Sequence, residues 1–411
     1  MILRKDTWRE AFRRFAGKCG LAAGLVIVIC AVLIVQAEPQ SNDSHKLHVQ
    51  RPRRLPLSKF YDLPNPTPSA KPGTLIRSEQ TYDYSLSADV VTTRILYYSR
   101  AADGQAVPVS GVVVVPERAA PAGGWPVIAW AHGFQGVARQ CAPSLRENLD
   151  EGSFLSMYVN LGYAMVATDY AGLGTSGRNA YLDSQSNAAD LIYSVDAARA
   201  AVPDLGPHWI AMGIAEGDLA ALNAAELESQ IQDPKYLGSI ALSGVVDSKN
   251  LLGQHSAQES SLHPIFLAYG IKTVFPQFEV NDILPEKALP LFRQAETSCT
   301  IGSGAAHTSS SPLLKPSWQQ NEFVKKFVER NTLGSRRAAG PLLVLASQTD
   351  PETPIAFTTE AVGRLCKQGD QVQFYRYQNP DARAAIGDSV RDQIGWIQAR
   401  FAGRAAPSNC P

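Results

Sequence analysis

The run Trp209 to Asp218, WIAMGIAEGD, passes from a buried-strand pattern through Gly213 and Gly217 into a helical one, which is the frame of a nucleophile elbow. The middle residue of an elbow occupies a strained turn, so glycine is needed on both sides, where any side chain would collide with the neighbouring backbone. Gly213 and Gly217 meet that need, but the residue that would carry the attacking oxygen is Ala215. No Gly-x-Ser-x-Gly occurs elsewhere, so a shifted elbow does not restore a hydroxyl. Taken alone, Gly-x-x-x-Gly after a strand also describes a plain strand-to-helix turn. Glu216 and Asp218 open the helix. Carboxylates there are favoured by the positive end of the helix dipole, and they would equally oppose negative charge developing at the elbow.

The other residues able to do chemistry have quieter readings. His132 precedes a glycine at a strand end and is expected to be a hydrogen-bonded structural histidine rather than a replacement base. His208, His255, His263 and His307 lie at no ligand spacing, and His45 and His48 fall in a polar, proline-rich stretch where solvation is the expected state. No metal site and no cofactor are expected. Asp169 closes a strand and reads as a turn or capping residue, and Ser243 reads as a polar strand end.

Short apolar runs alternating with helical periods must position these residues. Ser110 to Pro116, Trp125 to Ala131, Tyr163 to Thr168, Trp209 to Met212, Gly238 to Leu242 and Pro341 to Ala346 read as strands. Ala188 to Val202, Leu219 to Leu227 and Thr358 to Cys366 read as helices between them. The order predicts a mostly parallel sheet covered on both faces. From about 247 to 337 the rhythm breaks into apolar patches such as Pro264 to Phe278 and the run Thr308 to Pro312, as an inserted cap would. Pockets in such folds form beyond the carboxyl ends of the strands, under insertions of this kind.

Of 411 residues 45% are hydrophobic and 18% charged, so a large core is affordable. Lysine and arginine total 38, as do aspartate and glutamate, and this zero balance gives no electrostatic footprint for nucleic acid. Arg4, Lys5, Arg9, Arg13, Arg14 and Lys18 precede an apolar run from Cys19 to Val35. Residues 1–37 therefore read as a signal peptide or a retained membrane anchor, with the remainder exported to the periplasm, the exterior or the outer side of a membrane. Residues 38–75, rich in proline, read as an extended tether, and 76–411 as the catalytic-type domain. Beyond the leader stand Cys141, Cys299, Cys366 and Cys410, enough for two disulfides in an oxidising compartment, with three pairings open.

Pro72 to Glu79 (PGTLIRSE), Trp125 to Gly136 (WPVIAWAHGFQG), Cys141 to Ser144 (CAPS), Ala167 to Gly174 (ATDYAGLG) and Pro407 to Cys410 (PSNC) stand in this order around the elbow frame. Through them the sequence resembles the secretory lipase family of α/β hydrolases from Phe60 to Cys410. The resemblance implies an α/β-hydrolase fold with an inserted cap and the hydrolysis of long-chain esters in lipid catabolism. It implies an oxyanion hole bordered by Gly133 and Phe134 beside His132, with the Glu216 N–H as the other donor. It also implies disulfides Cys366 to Cys410 and Cys141 to Cys299. The family's elbow reads Gly-His-Ser-x-Gly-Gly, whereas Ile214, Ala215 and Asp218 stand at the histidine, serine and last glycine. Asp350, ending the strand run PLLVLASQTD and followed by Pro354, matches the family's triad acid. The base follows the acid in this fold, yet 351–411 hold no histidine; Ala382 stands at its expected place, beside Arg383, which is no base at neutral pH.

Losing the serine or the histidine of such a triad costs on the order of 10⁶ in turnover, because the two act as a unit. About 10³–10⁴ over water would remain from an oxyanion hole and binding. The expectation is a catalytically silent protein of this fold that keeps an acyl or ester ligand or binds a protein partner. The alternatives are an active esterase using unconventional groups such as Glu216, Asp218 and Asp350, and an interaction protein attached to a membrane through the leader.

Overall fold

The computed structural model describes residues 52–63, 69–245, 250, 262–301 and 312–410. The leader, His45, His48, His255, His307 and the Thr308 to Ser311 part of the cap lie outside the described residues.

A nine-stranded sheet organises the domain, in the order β1-β2-β3-β5-β4-β6-β7-β8-β9. The strands are β1 Leu75–Thr81, β2 Val90–Arg100, β3 Ala106–Pro116, β4 Trp125–Ala131, β5 Ala164–Thr168, β6 Leu205–Gly213, β7 Tyr236–Ala241, β8 Leu342–Ser347 and β9 Val372–Tyr377. The pairs from β5 through β4 to β9 are parallel, and the pairs joining β1, β2, β3 and β5 are antiparallel. This is the mostly parallel, helix-covered sheet of an α/β-hydrolase fold.

Both faces are buried, so strand residues divide between two cores by simple alternation. Val127, Ala129 and Ala131 of β4 and Trp209 and Ala211 of β6 face one way, with α2 Ser184–Ala201 and α3 Glu216–Ile231 over them. Ile128, Trp130, Ile210 and Met212 face the other, against α1 Gly152–Asn160 and a later helix, Val390–Phe401. On the first face the strand ends are small, and α3 answers with Ala220, Ala221, Ala224 and Ala225, so helix and sheet approach closely.

The cap stretch contributes α4 His263–Val274, α5 Leu289–Ala295 and α6 Glu322–Arg330. α4 lies tight on the body at Gly270, where a Cβ would come 2.1 Å from the Tyr181 carbonyl oxygen. α6 is tied down by Arg330, whose guanidinium donates two hydrogen bonds to the buried Asp183 carboxylate at 2.6 and 3.1 Å. Cys141 is bonded to Cys299 and Cys366 to Cys410. The first bridge fastens the chain after α5 to the loop beyond β4. Helices α7 Ile355–Lys367, α8 Ala382–Asp388 and α9 Val390–Phe401 complete the described α-helices.

The stretch read as a tether up to residue 75 is docked where it is described. Leu55, Phe60 and Tyr61 are buried, and the Leu55 N–H donates to the Leu145 carbonyl at 2.8 Å. Three large apolar side chains among the prolines supply the burial that holds it there.

Candidate functional site

β6 ends at Gly213 and α3 begins at Glu216, so the chain reverses over Ile214 and Ala215. Ala215 has φ 53° and ψ −115°, a conformation that costs a residue bearing a Cβ about 1–3 kcal/mol. Its neighbours enforce it. A Cβ on Gly213 would lie 1.9 Å from the Gly217 carbonyl oxygen, and one on Gly217 would lie 2.0 Å from the Ala131 carbonyl oxygen at the end of β4. The glycines are therefore fixed by contact between helix and sheet as well as by the turn. Ala215 itself is exposed. The loop after β4 lies against it, since a Cβ on Gly133 would sit 3.3 Å from the Ala215 Cβ.

The two acids of the first helical turn do not simply face solvent at the helix end. Asp218 is fully buried, and its carboxylate accepts from the Leu242 N–H at 2.6 Å, the Ser243 N–H at 3.1 Å and the Ser243 hydroxyl. Ser243 Oγ in turn accepts from the Ala215 N–H at 2.8 Å. This corrects the reading of Ser243 as a polar strand end: it is the link between elbow and acid. Because Gly213 pairs with Ala241 across β6 and β7, the residue two places on is carried to the elbow. That register was the missing signal. Glu216 turns toward the start of α2, where one oxygen accepts from the Leu182 N–H at 3.2 Å and from Asn187 Nδ2 at 2.9 Å. Burial pushes Glu216 up to about 7 and Asp218 up to about 8, against the lowering effect of these hydrogen bonds. Both acids are spent on tying elements together.

Asp350 and Ala382 follow neighbouring parallel strands, Ser347 of β8 being paired with Tyr377 of β9. Their loops are stitched to each other: the Gln348 N–H donates to the Tyr377 carbonyl at 2.8 Å, and the Ser347 and Thr349 hydroxyls both donate to the Asn379 carbonyl, the first at 2.6 Å. Asp350 is buried and accepts from the Glu352 N–H at 2.8 Å. Ala382 is the first residue of α8, whose N-terminus is capped by Asp381 accepting from the Ala384 N–H at 2.8 Å. Arg383 points to the surface, 3.4 Å from Glu151 Oε1.

His132 is buried with both ring nitrogens against backbone carbonyls, Nδ1 at 2.6 Å from Gly133 and Nε2 at 3.1 Å from Asp169, and burial holds its pKa below the usual imidazole value. Asp169 is more than a turn residue. Its carboxylate accepts from Ser110 Oγ at 2.6 Å, from Ser144 Oγ at 2.5 Å and from the Ser144 N–H at 2.8 Å, bracing β3 and the Pro143 loop against the end of β5. His208 is exposed on β6, seven residues before Ala215. His263, which the sequence left without a place, joins an aromatic wall beside the Gly133 loop. Phe134 packs on Phe266 at 4.5 Å and on Tyr181 at 4.8 Å between centroids, and the Tyr181 hydroxyl lies 3.1 Å from His263 Nδ1. Only the folded cap brings α4 to that loop.

No protein-family model matches the chain, and no curated protein matches it by sequence. Solved structures do match. Candida antarctica lipase A superposes with a TM-score of 0.69 at 16% identity, covering 87% of this chain and 89% of its own. The rice cell wall degrading esterase LipA from Xanthomonas oryzae gives 0.63 at 16% identity, covering 81% and 98%. These neighbours are α/β hydrolases of the lipase and esterase kind, and at such identity the likeness is one of fold.

Proposed function

We propose that this chain is a catalytically silent relative of the secretory lipases, exported from the cell, which retains a site for the acyl or ester group its hydrolytic relatives cleave. The observation that carries the reading is the backbone at Ala215: an alanine held at φ 53° in a conformation that serves to present a nucleophile. Ala382 occupies the place of the base, so Asp350 has no histidine to orient. Glu216 and Asp218 do not substitute, because their oxygens are held by Leu182, Asn187, Leu242 and Ser243. His132 does not substitute, since it is buried with both ring nitrogens facing backbone carbonyl oxygens, those of Gly133 and Asp169.

Binding outlasts the chemistry for two reasons. The half-buried Phe134 ring, backed by the buried Tyr181 and Phe266, gives an apolar ligand a contact beside the elbow. Among the described residues neither the Phe134 N–H nor the Glu216 N–H has an acceptor, which leaves the two backbone donors of an oxyanion hole free for a carbonyl or carboxylate oxygen. Two disulfides and the apolar leader support an oxidising compartment.

The test is turnover of short- and long-chain p-nitrophenyl esters by residues 38–411. The wild type is expected to match the buffer rate, and the double variant Ala215→Ser, Ala382→His to gain saturable hydrolysis. Saturable turnover by the wild type would overturn the proposal.

A further inference from the structure

A cleft lies along α2 and α3, away from the elbow, closed by the β2–β3 hairpin and the chain after α6. Its volume is about 170 Å³, room for roughly five or six waters at ~30 Å³ each and far too little for a long acyl chain. Three arginines line it: Arg100, Arg330 and Arg336. Arg330 is already neutralised by its two hydrogen bonds to Asp183. Arg100 rests over the Tyr193 ring, 5.9 Å from its centroid, and Arg336 is exposed; among the described residues neither forms an ion pair.

Glu226 is the one carboxylate in the lining, and Arg336 favours its ionised form from nearby, although no ion pair joins the two among the described residues. One of its oxygens accepts from the Gly334 N–H at 2.6 Å and the other from the Ser335 hydroxyl at 3.4 Å. Burial also pushes its pKa up to about 7, so at neutral pH part of its negative charge is absent. Gln185 and Asn223 complete a polar wall. Guanidinium groups offer fixed forks of N–H donors that match the oxygens of carboxylates and phosphates, and with Arg330 set against Asp183 and Arg336 only near Glu226, Arg100 leaves the pocket with an excess of positive charge.

We propose that this cleft binds a small oxyanion, a phosphate or carboxylate group held between the guanidiniums of Arg100 and Arg336. The site is independent of the elbow and of whether the elbow is silent. It would take a molecule of about phosphate or succinate size, or the charged end of a larger one.

Titration calorimetry on residues 38–411 at pH 7, with sodium phosphate and with sodium succinate against sodium chloride at matched ionic strength, tests it. Saturable binding of phosphate, of succinate or of both supports the site, and the difference between the two arms identifies the favoured oxyanion geometry. Arg100→Gln and Arg336→Gln should each weaken that binding about tenfold or more, because each removes a charge-assisted pair of hydrogen bonds. Arg391→Gln, an exposed change outside the lining, should leave it unaltered, and Glu226→Gln should tighten it. Heat that follows ionic strength alike in all three salts, or Arg100→Gln and Arg336→Gln proteins that bind as the wild type does, would overturn the proposal.

Discussion

Ala215 and Ala382 both stand beyond the carboxyl ends of strands in one sheet, but the chain treats them differently. At Ala215 the backbone is strained, and Gly213, Gly217, Ala131 and Ser243 press it into that shape. At Ala382 the chain enters a short helix, α8, through an ordinary aspartate cap. The turn geometry is a consequence of how closely α3 packs on β4 and β6. The backbone at Ala382 carries no such constraint. Of the two positions, only the one the core presses on has a backbone shaped by packing.

The comparison breaks most readily with glycine. Gly217→Ala drives a Cβ to 2.0 Å from the Ala131 oxygen, while Gly387→Ala in α8 meets nothing within 4 Å. The first should cost more than about 4 kcal/mol and leave little folded protein. The second should gain about 0.5–1 kcal/mol from helix propensity, both being read from urea midpoints. Equal effects would show that the elbow is not fixed by packing. Next, Ser243→Ala removes the link between the Ala215 N–H and Asp218, leaving buried polar groups unpaired, and should cost about 1–3 kcal/mol.

Glu216 adds a pH signature. Its pKa is raised in the folded state, so folding favours the protonated form: stability falls as pH rises from about 4.5, its ordinary value, through about 7, and then levels off. Glu216→Gln keeps an oxygen for Leu182 and Asn187 and should stabilise the protein by on the order of 1–3 kcal/mol at pH 8, and by much less at pH 5. A constant difference across that range in thermal melts would contradict the burial of this acid. The smallest effect pairs the two alanines. Ala215→Gly should be stabilising by about 1 kcal/mol through relief of strain, and Ala382→Gly destabilising by about 0.5 kcal/mol, so a shared sign would erase the distinction between the two regions.

The legible part of this fold was its buried parallel centre. The runs WPVIAWA and PLLVLA had to be strands because both faces of the sheet are covered, and β4 and β8 lie where those runs stand, to within a residue. β1, LIRSEQT, sits at the edge with polar residues exposed, and nothing in its pattern separated it from loop. The tight strand-to-helix turn could be located from Gly213 and Gly217, because close backbone approach leaves a mark in residue type. The clamp beneath it could not, since Asp218 and Ser243 are 25 positions apart and meet only through the β6–β7 register. An acid in the first turn of a helix suggests the dipole until its donors are seen. Tyr181, His263 and Phe266 were equally hidden, because the wall they form with Phe134 exists only once the cap has folded over the body.

The account rests on there being no nucleophile at the elbow, and covalent labelling addresses that directly. Residues 38–411 and the Ala215→Ser, Ala382→His variant would be treated with a fluorophosphonate probe and the adduct mapped by peptide mass spectrometry. The account predicts no adduct on the wild type and a single one at position 215 of the variant. A stoichiometric adduct on a mapped serine, threonine or tyrosine of the wild type would contradict it.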